Sequence, residues 1–425
     1  MLDIKFIREN ADLIKAGAAK KRIAVNLDKL LAVEERRRAL LTEVERMRAK
    51  QNEVSERIGK AAGPADEALM VVGEMRVLKE TLKKKEKELD EVMREWQLLM
   101  VQVPNIPDPS VPEGDSDEQN MEVRAWGERP QFSFTPKSHI ELVQDLDMAD
   151  LERGAKVSGF RGYFLKGDGA LLTHAIWQFV ISSFAKKGFT PMLVPSLVKR
   201  VAFLGTGYLP QGEEDLYKTQ DGDFLAGTGE VAGMAYYMNE VLSKESLPIK
   251  ILAFSPCFRR EAGSHGKDTK GLMRVHEFFK FEQIMLCEAS HEESVRLHEE
   301  LTRNAEELLQ ALKLPYRVVI NCGGDLGLGQ VKKYDIETWV PSENKYRETH
   351  SSSYFHDFQT RRLNIRYRDA EGNLQYAHSL NNTALATPRI LISILENNQR
   401  EDGSILVPEV LRQWVGKEKI GKAEL

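Results

Sequence analysis

Two heptad runs of similar length, separated by a cluster of helix breakers, constrain this chain more than any other feature. After Leu27, apolar residues recur at alternating spacings of three and four: Leu30, Val33, Leu40, Val44, Met47, Val54 and Ile58, with Arg37 and Gln51 as polar interruptions. Gly59, Gly63 and Pro64 break the pattern, which resumes at Val71, Met75, Leu78, Leu82, Lys85, Leu89, Val92, Trp96 and Leu99. Such a seam predicts two helices packed as an antiparallel hairpin. At 1.5 Å per residue each arm is roughly 50 Å long, too thin to bury a large core, so it is expected to project from a body. Arg36, Arg37 and Arg38 form one basic run on its faces, and Lys83, Lys84, Lys85 and Lys87 another. Two readings stay open for these runs: solvated faces with paired charges, or a surface that contacts phosphates.

Around this arm the chain divides by composition. Residues 1–26 carry a partial helical stripe (Phe6, Ile7, Ala11, Ile14), and Asn26 is a suitable cap for the helix that follows. The stretch from Val103, VPNIPDPSVPEGDSDEQN, is rich in Pro, Asp and Ser and predicts a stiffened linker. The expected domains are therefore 1–103, with the arm at about 27–100, a linker at 104–120, and a second domain at 121–425. That second domain alternates helical and strand patterns, an α+β class. Helices are predicted over 151–157, 171–187 and 292–312, and strands over 189–195, 318–321, 334–340 and from 346.

A formal net charge of −5 across 425 residues excludes a bulk polycation, so any nucleic-acid contact must use local patches. Cys257, Cys287 and Cys322 are dispersed and odd in number, with neither zinc spacing nor a disulfide framework. The charged N-terminus lacks an apolar signal core, and no apolar run approaches membrane-spanning length. A cytoplasmic, non-membrane location is the expectation.

Chemistry concentrates in CFRREAGSHGKDTKGLMRVHEFFKFEQ, Cys257 to Gln283. An apolar limb from Ile249 leads into a loop with Gly263, Gly266, Gly271, Ser264, Asp268 and Thr269. On the returning limb, strand alternation predicts Arg274, His276, Phe278, Lys280 and Glu282 on one face, with Val275, Phe279 and Phe281 on the core face. Charge on a strand face next to a core is costly unless partnered. Arg259 and Arg274 can hold phosphate oxygens bidentately, Phe278 can stack on a base, and Glu261 and Glu282 can accept from amino groups. That inventory suits a nucleotide together with an amine-bearing substrate.

Three further patterns gain weight from that neighbour. Thr228-Gly229-Glu230 reads by default as a turn, although on a strand Thr228 and Glu230 would point the same way. Glu348 and Ser351 are hard oxygen donors suited to Mg²⁺ bound with phosphates. Thr387 reads as a helix N-cap and Pro388 as a first helical residue, which puts Arg389 in the first turn, where free N–H groups and a guanidinium would hold an anion.

Phe-Arg-x-Glu, a loop, then Arg-x-x-x-Phe-x-x-x-Glu resembles motif 2 of class II aminoacyl-tRNA synthetases. The helix ending near Gly188 with the strand to Pro195 resembles motif 1, and LNNTALATPRILISILEN resembles motif 3, though with less glycine than usual. Together with YRETHSSS and the N-terminal arm, nearly the whole chain resembles the bacterial seryl-tRNA synthetases. The resemblance implies an antiparallel sheet flanked by helices, a homodimer built through motif 1, and two-step ligation of L-serine to tRNA(Ser) through seryl-adenylate with ATP and Mg²⁺.

It implies roles by matching position. Arg259 would hold the α-phosphate and the serine carboxylate, and Glu261 the adenine edge. Phe278 and Arg389 would enclose the adenine, with Val275 beside them, and Arg259 and Arg389 would carry catalysis. Arg260, Thr349 and His350 would join the ATP side, where Glu348 and Ser351 hold Mg²⁺. Thr228, Gly229, Glu230, Arg259, Glu282, Asn381 and Thr383 would surround serine. Gly229 stands where the family usually has alanine. The arm would recognise the tRNA, and tRNA(Sec) would be a second acceptor. Two other readings fit parts of the pattern: a ligase that loads a carrier protein, against which the arm speaks, and an inactive binding module, against which the retained site residues speak.

Overall fold

A computed structural model describes residues 1–60, 65–263, 266 and 268–422, without the side chains of 58–60, 65–69 and 71–72. Of the expected break at 59–64, residues 59–60 are still helical, while 61–64, the side chains of the seam positions Ile58 and Val71, and Ser264 lie outside the described residues or side chains. The chain forms two compact units: residues 3–18 and 24–104 in one, and residues 1–2, 19–23 and 105–425 in the other.

In the smaller unit, Asn26 caps α1 (Leu27–Lys60), its Oδ1 accepting from Lys29 N at 3.0 Å. It packs on α2 (Ala65–Met100) along the seam, where Leu30, Leu40, Val44, Val54, Met75, Leu82 and Val92 are buried. Cross-helix ion pairs Lys29–Glu95, Arg36–Glu88 and Lys50–Glu74 run antiparallel. Both basic interruptions of the seam are neutralised. Arg37 binds Glu34 with two hydrogen bonds and lies over the Trp96 ring, and Lys85 pairs with Glu43 at 3.0 Å. Arg38, Lys83, Lys84 and Lys87 are exposed and make no ion pair among the described residues.

The larger unit is built on an eight-stranded sheet. Its strands are β1 (Met121–Trp126), β2 (Thr190–Leu193), β3 (Ile249–Phe258), β4 (Glu277–Cys287), β5 (Tyr316–Ile320), β6 (Lys332–Val340), β7 (Lys345–His356) and β8 (His378–Thr387). Their order is β1-β5-β6-β7-β8-β4-β3-β2, antiparallel throughout except β2 on β3. Helices α3 (Asp168–Ala185), α4 (Glu230–Ala235), α5 (His291–Ala311) and α6 (Arg389–Asn397) belong to this unit. The apolar stripes of α3, α5 and α6 close one core with Phe281, Met285, Ile336, Leu380 and Leu385 of the sheet. This is the expected antiparallel sheet flanked by helices.

Alternation along β4 explains where the site lies. Phe281 and Met285 enter that core, while Lys280 and Glu282 face the other side, which Ile284 and Leu286 close farther along with a second apolar cluster. The polar half of this face is left for a cavity.

Residues 105–120, expected as a linker, fold onto this larger unit. Asn105 Nδ2 donates to the carbonyls of Gly329 (3.0 Å) and Phe355 (2.8 Å), and Tyr354 OH donates to Asp108. The prolines stiffen an ordered strap whose free polar groups are met by the sheet.

Candidate active site

A cavity of about 450 Å³ opens on the polar half of the sheet face. It is lined by Arg259 after β3, by Glu261, Arg274 and Val275, by Phe278, Lys280 and Glu282 of β4, by Glu348 and Ser351 of β7, by Asn381 and Thr383 of β8, and by Arg389 opening α6. Arg259 and Arg389, 130 residues apart in sequence, thus share one cavity.

Two β-bulges make this convergence possible. Along β7, His350 pairs with Ile336 but Glu348 pairs with Glu337, so Thr349 is the extra residue. Glu348 and Ser351, three apart, would face opposite ways on a regular strand; the bulge puts both on the cavity side. Along β8, Thr383 pairs with Glu282 and Leu385 with Phe281, making Ala384 the extra residue. Thr383 and Asn381 therefore face the cavity with Glu282, while Leu385 goes into the core.

Burial grades the cavity from a deep end to a mouth. Of its lining residues, Glu230, Lys280, Glu282, Asn381 and Thr383 are all under a tenth exposed, whereas the Glu348 side chain is half exposed. At the deep end the Lys280 ammonium pairs with Glu282, and Thr228 Oγ1 donates to Glu282 Oε2 at 3.0 Å. Glu230 accepts from Tyr208 OH (2.9 Å) and from Gln359 Nε2 (2.7 Å). Burial and the nearby charge of Glu282 push the Glu230 carboxyl up to about 7. At the mouth, Arg389 donates to the carbonyls of Met273 and Glu348 and lies 3.7 Å from the Glu348 carboxylate. Arg274 Nη1 donates to Glu261 Oε2 at 2.6 Å, and Arg259 lies over the Phe278 ring at 5.3 Å. Lys333 also lines the cavity; burial alone would lower its pKa, but Asp335 and Asp325 outweigh this and raise it.

Several expected positions differ. β4 begins only at Glu277, and residues 271–276 bend, so strand alternation does not govern them. Val275 consequently lines the cavity instead of facing the core, and His276 turns away toward Tyr217, 6.3 Å between rings. Thr228-Gly229-Glu230 takes its default reading, a turn, and not the strand alternative: Gly229 precedes α4, and Thr228 meets Glu230 because its Oγ1 accepts from Glu230 N at 3.2 Å. Thr228, Gly229 and Arg260 do not line the cavity; Thr228 reaches it only through its hydrogen bond to Glu282. Arg260 is exposed and donates to Glu214 O. A methyl group at Gly229 would meet Ser255 Oγ at 3.3 Å.

Thr349 and His350 border the cavity, but their side chains bond each other at 2.8 Å, and burial holds His350 neutral with a pKa of about 4. Thr387 ends β8, and its hydroxyl accepts from Trp177 Nε1 instead of capping α6; Arg389 is the first helical residue. Cys257, Cys287 and Cys322 are buried and free.

Sequence reasoning missed Tyr208, Gln359 and Lys333, and gave Lys280 a face without a role. Alternation along β4 was a usable signal for Lys280. Gln359 reaches Glu230 across 129 residues, and nothing local marks it.

Comparison with known proteins agrees with this geometry. Residues 1–107 match the seryl-tRNA synthetase N-terminal domain, and residues 217–398 match the tRNA synthetase class II core domain (G, H, P, S and T). The chain is 47% identical over 421 residues to the serine–tRNA ligase of Deinococcus radiodurans, covering 99% of both chains. It is 43% identical over 430 residues to that of Carboxydothermus hydrogenoformans, covering 99% of this chain and 100% of the relative. Among solved structures, seryl-tRNA synthetase from Pyrococcus horikoshii complexed with ATP is similar with a TM-score of 0.90 at 37% identity, covering 100% of each chain. The cytoplasmic serine–tRNA ligase of Naegleria fowleri in complex with AMP is similar at 0.86 and 30%, covering 100% of this chain and 99% of that one. With one cavity joining both arginines to a buried carboxylate pair, and with full-length relatives at this identity, the chain is an aminoacyl-tRNA ligase and belongs to the seryl-tRNA synthetase family.

Proposed function

We propose that this cavity activates L-serine with ATP and that the enzyme then transfers the seryl group to tRNA(Ser). The observation that carries the reading is the charge arrangement of the deep end. Two buried carboxylates, Glu230 and Glu282, stand with the ammonium of Lys280, and Arg259 lines the same cavity. A zwitterion completes this set: its ammonium goes to the carboxylates and its carboxylate to Arg259. Thr383, Asn381 and the carboxylates supply acceptors for a small hydroxyl. A pocket that hydrogen-bonds a hydroxyl rejects the analogue lacking it by about 10⁴-fold or more, which bears on alanine.

The wider end takes the nucleotide. Phe278, Arg389, Val275 and Glu261 all line the cavity; in this reading Phe278 and Arg389 enclose the adenine with Val275 beside them, and Glu261 accepts from the purine edge. In this reading Arg259, which lines the same cavity, holds both the α-phosphate and the serine carboxylate. It aligns the reactants and stabilises the phosphoryl charge, and no protein base is required. Glu348 and Ser351, brought to one face by the bulge, fit a Mg²⁺ whose other ligands are nucleotide oxygens and water; no cluster of three acidic, His or Cys ligands occurs among the described residues. When bound, that ion neutralises phosphate charge.

The exposed, unpaired lysines and Arg38 of the helical hairpin suit backbone contacts to a structured RNA, which is read mainly by shape. tRNA(Sec) is a second acceptor where the host has one. A homodimer through the β2 edge is supported by Leu193, 85% exposed, with Leu197 and Val201 nearby also exposed. No described helix is long and apolar enough to cross a membrane. The reading is tested by serine-dependent ATP–pyrophosphate exchange followed by charging of tRNA(Ser). Absence of exchange overturns it, and exchange without charging moves the product to another acceptor.

A further inference from the structure

Glu230 is held by groups that lie outside the motifs. Its carboxylate is buried, and both oxygens are engaged by neutral donors: Tyr208 OH on Oε2 and Gln359 Nε2 on Oε1. Gln359 is itself immobilised. It is fully buried, its Nε2 also donates to Thr206 O at 3.1 Å, and its Oε1 accepts from Ser379 Oγ at 2.8 Å. The Gln359 amide is thus locked in one orientation, with its donor end toward Glu230. The tyrosine is equally fixed in role, because burial and the Glu230 charge raise its pKa well above the ordinary value, so it remains a donor.

Neutral donors have a particular consequence here. They favour the ionised carboxylate without adding positive charge, so the counter-charge is left for a ligand to supply. The charged and titratable groups that bear on Glu230 are Glu282 and Lys280 from β4, Tyr208 from its own loop, and, through Tyr208, Arg259 at the end of β3. Burial and Glu282 oppose ionisation; the two hydrogen bonds and Lys280 favour it.

We propose that Tyr208 and Gln359 are positioning residues that favour the ionised form of Glu230 and aim it into the deep end of the cavity, and so set its affinity for an ammonium-bearing, hydroxylated amino acid. The proposal rests on the reading that Glu230 faces serine. Removing either donor takes away a contact that favours the charged form. Glu230 then protonates at higher pH, and serine use at neutral pH falls but recovers in mild alkali.

The test is serine-dependent ATP–pyrophosphate exchange from pH 6 to 9 with Tyr208→Phe, Gln359→Met and Glu230→Gln. Tyr208→Phe removes one oxygen and Gln359→Met approximately conserves volume, so either suffices if the other folds poorly. The expected result is a loss of roughly tenfold in kcat/KM for serine at pH 7, shrinking toward unity at pH 9, with the KM for ATP held. A merely structural role would lower activity equally at every pH, and that outcome, or an unmoved acidic limb, overturns the proposal. If Glu230→Gln itself leaves serine use at the parent level, the underlying reading of the pocket has failed instead.

Discussion

Replacing Glu282 by glutamine probes the deep end with the least disturbance. Glutamine keeps the shape and can still accept from Thr228 Oγ1, which lies 3.0 Å from the carboxylate, but it removes one of the two buried charges facing a substrate ammonium. A charge-assisted contact at a site this buried contributes about 2–4 kcal/mol. That converts to a loss of roughly 30- to 1000-fold in kcat/KM for serine at pH 8, with the KM for ATP changing by about twofold at most. A second effect has the opposite sign on pH. Glu282 is one of the two main causes that raise Glu230, so its neutralisation lets Glu230 ionise at lower pH and moves the acidic limb of serine use downward. Glu282→Ala is the harsher variant, since it leaves Lys280 buried without its partner and costs about 3–5 kcal/mol of stability. The assay is pyrophosphate exchange over a serine titration at saturating ATP, with the ATP titration as its control. A loss below about threefold for serine, or an equal loss for both substrates, refutes the placement of the ammonium.

Deleting residues 35–93 removes most of the hairpin but none of the cavity, so pyrophosphate exchange should survive while charging of tRNA(Ser) collapses; equal loss of both counts against a separable arm. Gly154→Ala should lower thermal stability by about 1–3 kcal/mol, because the added methyl would sit 2.3 Å from the Tyr163 backbone, which cannot rotate aside; an unchanged melting curve would refute this. Glu230, raised from 4.5 to about 7, binds a proton in the fold that it has lost in the unfolded chain between those values. Its contribution therefore weakens the fold as pH rises from about 4.5 to 7, by about 3 kcal/mol at most. Chemical denaturation at pH 5 and pH 8 should show that difference shrinking in Glu230→Gln.

The parts of the structure with long, regular signals were legible in the chain itself. The seam through Leu30, Leu40, Val44, Met75, Leu82 and Val92 is buried as its period requires, and the polar interruptions at Arg37 and Lys85 are paired. Lys280 and Glu282 face the cavity because β4 is regular where they lie. Alternation failed where regularity ends. It misplaced Val275 and His276, which precede β4, and it does not apply to Thr228 and Glu230, where the chain turns into a helix. The hydrogen bond that looked natural for a Thr387 cap goes to Trp177, a tertiary partner that no local pattern announces. Tyr208 and Gln359 were invisible for the same reason, since their roles exist only once distant segments meet.

The extra residues at Thr349 and Ala384 act on their strands as a shifted reading frame acts on a message: past each one, inside and outside exchange places. Deleting Thr349 alone would turn Glu348 into the interior while leaving composition and strand propensity nearly untouched. Insertions and deletions in β7 and β8 should therefore be tolerated in pairs and lethal singly, a parity constraint that substitution scanning at those positions would not detect.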